Sequence, residues 1–278
     1  MRWRCVFVFS AVAILAGSLP ALAACSDPDA VGVSRTLAID TSRALAVGTI
    51  QYRADLPLAE NEVVLTFDDG PLPGTTDRVL DALDAACTRA TFFTVGRMAK
   101  AYPDLTRRAA AEGNTIATHT WRHPVSLAKL PADSAMREIE RGIAAVTVVL
   151  GSPPAAFFRF PGLNQTRTLR ARLAVEGIAV FSADVVGDDW TGISADTIRR
   201  NLLRRLKLHH GGIVLLHDTK RATARMLPQL LRDMKAAGYR IVDIVPSPPT
   251  TSVALGQPAT VSALPPVAAH AVVPHPAL

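Results

Sequence analysis

Residues Thr66-Phe67-Asp68-Asp69-Gly70 set two carboxylates side by side at the end of the apolar run Glu62-Val63-Val64-Leu65. Adjacent negative charges at the end of a buried strand repel one another and resist desolvation, so a partner must offset the cost. A divalent cation is one such partner. His119-Thr120-Trp121-Arg122-His123 places two imidazoles four residues apart, which on a helix or tight turn brings both rings to one side. Asp69, His119 and His123 together make a set of two histidines and one aspartate that leaves coordination positions open for water and substrate. With Asp69 as ligand, Asp68 is free to act as a base that takes a proton from water. The expected chemistry is metal-assisted hydrolysis.

The remaining polar candidates stand where strands should end. Seven short runs rich in β-branched or aromatic residues read as buried strands: 63–67, 91–95, 115–118, 157–160, 178–182, 213–216 and 240–244. Helical spacing lies between them. Val79, Leu83 and Ala86 share a face, as do Met136, Ile139, Ile143, Val146 and Leu150, and then Met226, Leu230 and Met234. This alternation predicts an α/β fold with a parallel sheet covered by helices, as a barrel or an open sheet. Asp68 and Asp69 follow the first strand, His119 the third, Arg159 ends the fourth, Asp184 follows the fifth and His217 the sixth. Polar groups gathered at the C-terminal ends of five parallel strands are expected of an α/β active site.

Both ends of the chain read differently from its middle. Arg2 and Arg4 precede an apolar stretch from Val6 to Leu15, and Ala21-Leu22-Ala23 supplies small residues for cleavage. That pattern predicts a signal peptide over residues 1–23, too short to span a membrane, and an exported protein that is periplasmic or secreted. Its removal leaves Cys25 and Cys87. In an oxidising compartment an even pair predicts one disulfide. Leu22-Ala23-Ala24-Cys25 also resembles a lipoprotein processing site, which would make Cys25 a lipid anchor to the envelope and leave Cys87 unpaired; both readings stay open. Residues 24–59 are read as an N-terminal extension. Residues 246–278 contain no Asp, Glu, Lys or Arg and hold eight of the chain's twenty prolines, so they cannot build an apolar face and are expected to be a disordered tail.

The formal charge of +6 is not organised for nucleic acid. Arg199, Arg200, Arg204, Arg205 and Lys207 cluster, but Ile198, Leu202, Leu203 and Leu206 interleave at helical spacing, which predicts a solvated helix face without an aromatic stripe. His209 and His210, ahead of Gly211-Gly212, are expected at a helix end.

The five segments TFDDG, HTWRH, RFPG (Arg159–Gly162), DVVGDDW (Asp184–Trp190) and LLH (Leu215–His217) resemble, in order, the motifs of the NodB-homology domain of polysaccharide deacetylases, carbohydrate esterase family 4. The resemblance covers residues 60–245. It implies a distorted (β/α) barrel of about seven parallel strands that removes N-acetyl groups from an N-acetylglucosamine polymer, either peptidoglycan or a chitin-like chain. It further implies Asp68 as general base, and Asp69, His119 and His123 as ligands of one divalent ion, usually zinc, with cobalt or another divalent ion accepted in some members. Arg159 would orient the base and keep it ionised, and His217 would be the general acid. Trp190 would wall the sugar site, with Pro161 and Gly162 alongside.

Two departures from the pattern bear on substrate and acid. Gly162 stands where an aromatic is usual, and Val186 stands where the fourth motif has its first aspartate. Asp184, Asp188 and Asp189 are nearby, and the strand-end position favours Asp184 as the residue that tunes His217. A catalytically silent glycan binder on the same fold, or another metal-dependent ester or phosphoester hydrolase, are the competing expectations. A silent binder would need no base, acid and ligand set together.

Overall fold

The computed structural model describes residues 27–247. Residues 1–23, read as a signal peptide, and Cys25 lie outside the described residues, as does the proline-rich segment from residue 248; Pro246, read as the start of that tail, instead ends a strand paired with Ile39. Among the described residues, ten strands form one sheet in which every ladder is parallel. In chain order the strands are β1 (Arg35–Ile39), β2 (Ala46–Val47), β3 (Glu62–Asp68), β4 (Thr91–Thr94), β5 (Thr115–Thr118), β6 (Phe157–Phe158), β7 (Ala179–Phe181), β8 (Val185–Val186), β9 (Gly211–His217) and β10 (Arg240–Pro246). The helices are α1 (Thr76–Ala85), α2 (Gly96–Ala101), α3 (Pro103–Ala111), α4 (Ala132–Leu150), α5 (Arg167–Val175), α6 (Ala195–His209) and α7 (Arg221–Ala236). Spatial order runs β1-β10-β3-β4-β5-β6-β7-β2, while β9 pairs with β3 and β8 with β9.

The two-residue period of β3 explains its burial on both faces. Val63, Leu65 and Phe67 pack with α1, α6 and α7 in an outer apolar layer. Val64 points the other way, into an inner cluster with Phe93, Ala117, Phe157, Phe181, Ile213, Val242 and Ile244. By the same parity Thr66 and Asp68 face inward. A third cluster beneath α4 and α5 gathers Met136, Ile139, Phe158, Phe160, Leu169 and Leu173. The anticipated period of α4 is thus a real buried face.

The barrel has a seam. No backbone ladder joins β2 to β8 among the described residues. In its place Ile50 N–H donates to Ala183 O at 3.0 Å, and Asp184 Oδ1 accepts from Thr49 N and Oγ1 at 2.6 and 2.8 Å. Short strands, and a sheet left open between β2 and β8 among the described residues, make the barrel a distorted one. Three strands were not anticipated. β2 and β8 have two residues each, too few to carry a period, and β1 is a half-exposed edge strand. β1 pairs with β10 over five residues, so the segment read as an extension is built into the sheet.

The basic cluster lies on α6, where Arg199 is ion-paired with Asp233 of α7 and Arg205 bonds Asp188 and Val186 O. His209 ends that helix and His210 caps it in a left-handed conformation.

Candidate active site

The ladder between β3 and β9 sets Asp68 directly beside His217. Two neighbouring strands therefore end in a carboxylate and an imidazole at the same level, and both line one cavity of about 370 Å³. Asp69 follows with φ +80°, a left-handed conformation that is costly for a residue with a Cβ. Asp68 Oδ1 is taken by Arg159, while Asp69 Oδ1 lies beside His123, so the adjacent acids have different partners.

His119 leaves the end of β5, and its Nδ1 lies 2.6 Å from Arg159 O, where it donates. That bond fixes the tautomer and leaves the Nε2 lone pair facing the carboxylates, 3.7 Å from Asp69 Oδ1 and 3.8 Å from Asp68 Oδ2. Burial, with His123 adding, pushes the His119 imidazole down to about 3, so the ring is neutral around pH 7. His123 Nε2 lies 3.2 Å from Asp69 Oδ1, and the two imidazole centroids are 4.7 Å apart. The spacing of four is realised in a turn, not a helix: Thr120 and His123 both have positive φ, and Thr120 Oγ1 accepts from His123 N at 3.0 Å.

One atom tests whether these residues fit a cation. Asp69 Oδ1 is buried and has no hydrogen-bond partner. An ionised oxygen so placed would cost far more than it returns unless something charged met it. One ligand atom from each of Asp69, His119 and His123 lies within 4.8 Å of the others. Neutral imidazole nitrogens and a carboxylate suit a divalent transition ion. The residues fit the group.

Arg159 follows β6 and is fully buried. Its Nη1 donates to Asp68 Oδ1 and to Thr66 Oγ1, both at 2.7 Å, and Nη2 donates to Ser182 O at 2.8 Å. The guanidinium lies 4.1 Å from the centroid of Phe93. Burial lowers its pKa, and the charge of Asp68 works against that. The pair is a buried one held by several hydrogen bonds, as such pairs must be.

At His217 the structure corrects one expectation. Asp189, not Asp184, holds this ring: Oδ1 accepts from Nδ1 at 2.7 Å and Oδ2 accepts from His217 N at 2.8 Å, with Thr223 Oγ1 donating to the same Oδ2. Asp184 spends its oxygens on Thr49 and on Ile213 N. It precedes β8, and the loop after β8 is what returns a carboxylate to His217. Burial alone would lower the His217 pKa. The hydrogen bond and charge of Asp189, with Asp68 and Asp69 adding, leave it raised.

Trp190, 48% exposed, stands edge-on to His217 with centroids 5.5 Å apart, so it is a rim residue and not core filling. Pro161 and Gly162 open the short turn after Phe160, and Gly162, at φ +58°, lines the cavity. Phe160, Leu163, Val186 and Leu215 also line it and went unforeseen. Apolar residues at strand ends look the same in sequence whether they face a core or a cavity. Asp189 had a signal, its place beside Trp190, but Asp184 and Asp188 in the same seven-residue segment competed with it.

Comparisons with known proteins point to one family. The family model described as polysaccharide deacetylase matches residues 55–181. The peptidoglycan-N-acetylglucosamine deacetylase of Bacillus cereus is 34% identical over 195 residues, 68% of either chain. The peptidoglycan-N-acetylmuramic acid deacetylase PdaC of Bacillus subtilis is 30% identical over 184 residues, 66% of this chain, which spans only 38% of that protein. Among solved structures, a peptidoglycan deacetylase of Bdellovibrio bacteriovorus superposes with a TM-score of 0.70 at 32% identity, over 77% of this chain and 59% of that one.

Proposed function

The chain belongs to the polysaccharide deacetylase family, and from that membership we propose that it hydrolyses N-acetyl groups on an N-acetylglucosamine-containing polysaccharide, releasing acetate. Peptidoglycan is the favoured polymer, since relatives named for it act on one or other of its two amino sugars; a chitin-like chain is the other candidate. The observation that carries the reading is the pairing of Asp68 with His217 on adjacent strand ends, flanking Asp69, His119 and His123. Amide hydrolysis needs a base for water and an acid for the departing amine, on either side of the reacting carbon.

Asp69, His119 and His123 would hold one divalent ion, with zinc favoured and cobalt or another divalent ion as substitutes. Bound there, the ion would supply Lewis acidity toward water and the amide carbonyl. Asp68 takes the proton from water, with Arg159 fixing its orientation through Oδ1 and offering the compensating charge. A backbone N–H of the Gly162 turn serves the developing oxyanion. His217 gives its proton to the leaving nitrogen, and Asp189 favours the imidazolium that does so. Trp190 and Gly162 wall the sugar, while Pro161, buried behind the cavity lining, shapes the turn that carries Gly162. Export through residues 1–23 belongs to the same reading, with Cys25 either bonded to Cys87 or bearing lipid.

Acetate release from defined peptidoglycan and chitin oligomers, with and without chelator, tests the proposal. Release that stops on chelation and returns with zinc is the expected result. Phosphate release from phosphoesters instead, or glycan binding without turnover, would overturn it.

A further inference from the structure

The wall beside Gly162 is held from outside the stretch that the family model matches. Gly162 and Leu163 have φ +58° and +57° in succession, and Leu163 is a branched residue in a conformation that suits glycine. A turn of that kind persists only where its surroundings impose it. Within the turn, Leu163 N donates to Phe160 O and Asn164 N to Pro161 O, which fixes the backbone N–H side. The Leu163 carbonyl is held by a different group: Gln51 Nε2 donates to it at 2.6 Å.

Gln51 is itself fastened to the barrel. Its N–H and that of Tyr52 donate to Gly48 O, closing a tight turn after β2. Gly48 sits at φ +105°, where a Cβ would come within 2.6 Å of Ala183 N, so the turn lies flat on the β7–β8 connection. Asp184 binds Thr49 twice and Ile213 N once, pinning the same turn to β9. A continuous strut therefore runs from Asp184 through Thr49 and Gln51 to Leu163, which lines the catalytic cavity.

We propose that Gln51 is a positioning residue for substrate, holding Leu163 as the wall that receives the acetylated sugar. The inference rests on the deacetylase reading. Leu163 follows Gly162 on the cavity wall, and the strut fixes an aliphatic side chain there. Asp184 anchors this strut and takes no part in the acid chemistry.

The experiment compares Gln51→Glu, which keeps size but cannot donate to a carbonyl, with Gln51→Lys, which can. KM and kcat are measured on an N-acetylglucosamine oligomer and on a small aryl acetate, with melting temperature and metal content as controls. Gln51→Glu should raise KM for the oligomer about five- to tenfold, the worth of one hydrogen bond. Its kcat and its aryl acetate kinetics should stay within about twofold, because the small ester carries no sugar for the wall to hold. Gln51→Lys should restore the oligomer KM. An unchanged oligomer KM in an active Gln51→Glu enzyme, or equal losses on both substrates, would overturn the inference alone. Wild-type protein inert on every acetylated oligomer would instead overturn the deacetylase reading and, with it, this one.

Discussion

At the scale of single residues, the two adjacent aspartates give opposite predictions. Asp68→Asn should leave metal content unchanged and reduce turnover by at least about 100-fold, the usual worth of a general base. Asp69→Asn should weaken metal binding itself, since Oδ1 is the buried carboxylate atom with no hydrogen-bond partner. Metal analysis beside kinetics checks both, and the reverse pattern would exchange the roles. The acid is tested through pH. In the proposed mechanism His217 works protonated, and Asp189 raises its pKa against the pull of burial. Activity should therefore fall on the alkaline side as that proton is lost. Asp189→Asn should move the alkaline limb to lower pH and slow the reaction, whereas Asp184→Asn should leave the limb in place. Most of these residues were legible because their types are expensive to bury without a purpose. The choice among Asp184, Asp188 and Asp189 was not, because it depends on β8. That two-residue strand carries the chain past Asp184 and turns back at Asp188, which has φ +54°.

Elements place the histidines through backbone contact. Trp121 N donates to Glu138 O on α4, Arg122 is ion-paired with Glu138 at 3.0 Å, and Gly142 of the same helix lies against Thr120. A Cβ on Gly142 would stand 2.5 Å from Thr120 C and 2.6 Å from its carbonyl oxygen, with no flexible side chain to yield. Gly142→Ala should therefore push the His119–His123 turn away from α4, costing about 1–3 kcal/mol of stability. Metal affinity should fall with it, although residue 142 touches no ligand. Thermal unfolding and metal titration measure the two effects, and a variant with wild-type values in both would disprove this coupling. The helix was readable from its apolar period, and β5 appears at the bounds its sequence predicts. The close approach was not readable, because a glycine inside an amphipathic helix carries no mark of what it faces.

For the molecule as a whole, the seam and the edges decide how much chain the site requires. The motif-bearing stretch begins near residue 60, and the family model matches from residue 55. The sheet begins earlier: β1 covers the edge of β10, β2 extends β7, and Ile39, Val47 and Leu56 are buried in the inner cluster. Arg35 also forms an ion pair with Glu62 at the start of β3, with Nη2 2.7 Å from Oε2, and this pair holds the Glu62 carboxyl down at about 2. Deleting residues 27–54 would strip two strands, leave Glu62 without its main partner and open the edge of β10. Each buried aliphatic side chain lost is worth about 1.5–3 kcal/mol. Two of them, with the ladder and the ion pair, approach the net stability of about 5–15 kcal/mol typical of a domain. The truncated chain should aggregate or melt at least about 10 °C below the full chain, a shift that such a loss readily produces in a domain of this size. Comparing solubility, melting temperature and acetate release of the two forms decides it. A truncated protein that stays soluble, melts with the full chain and turns over normally would mean that residues 27–54 are an appendage after all.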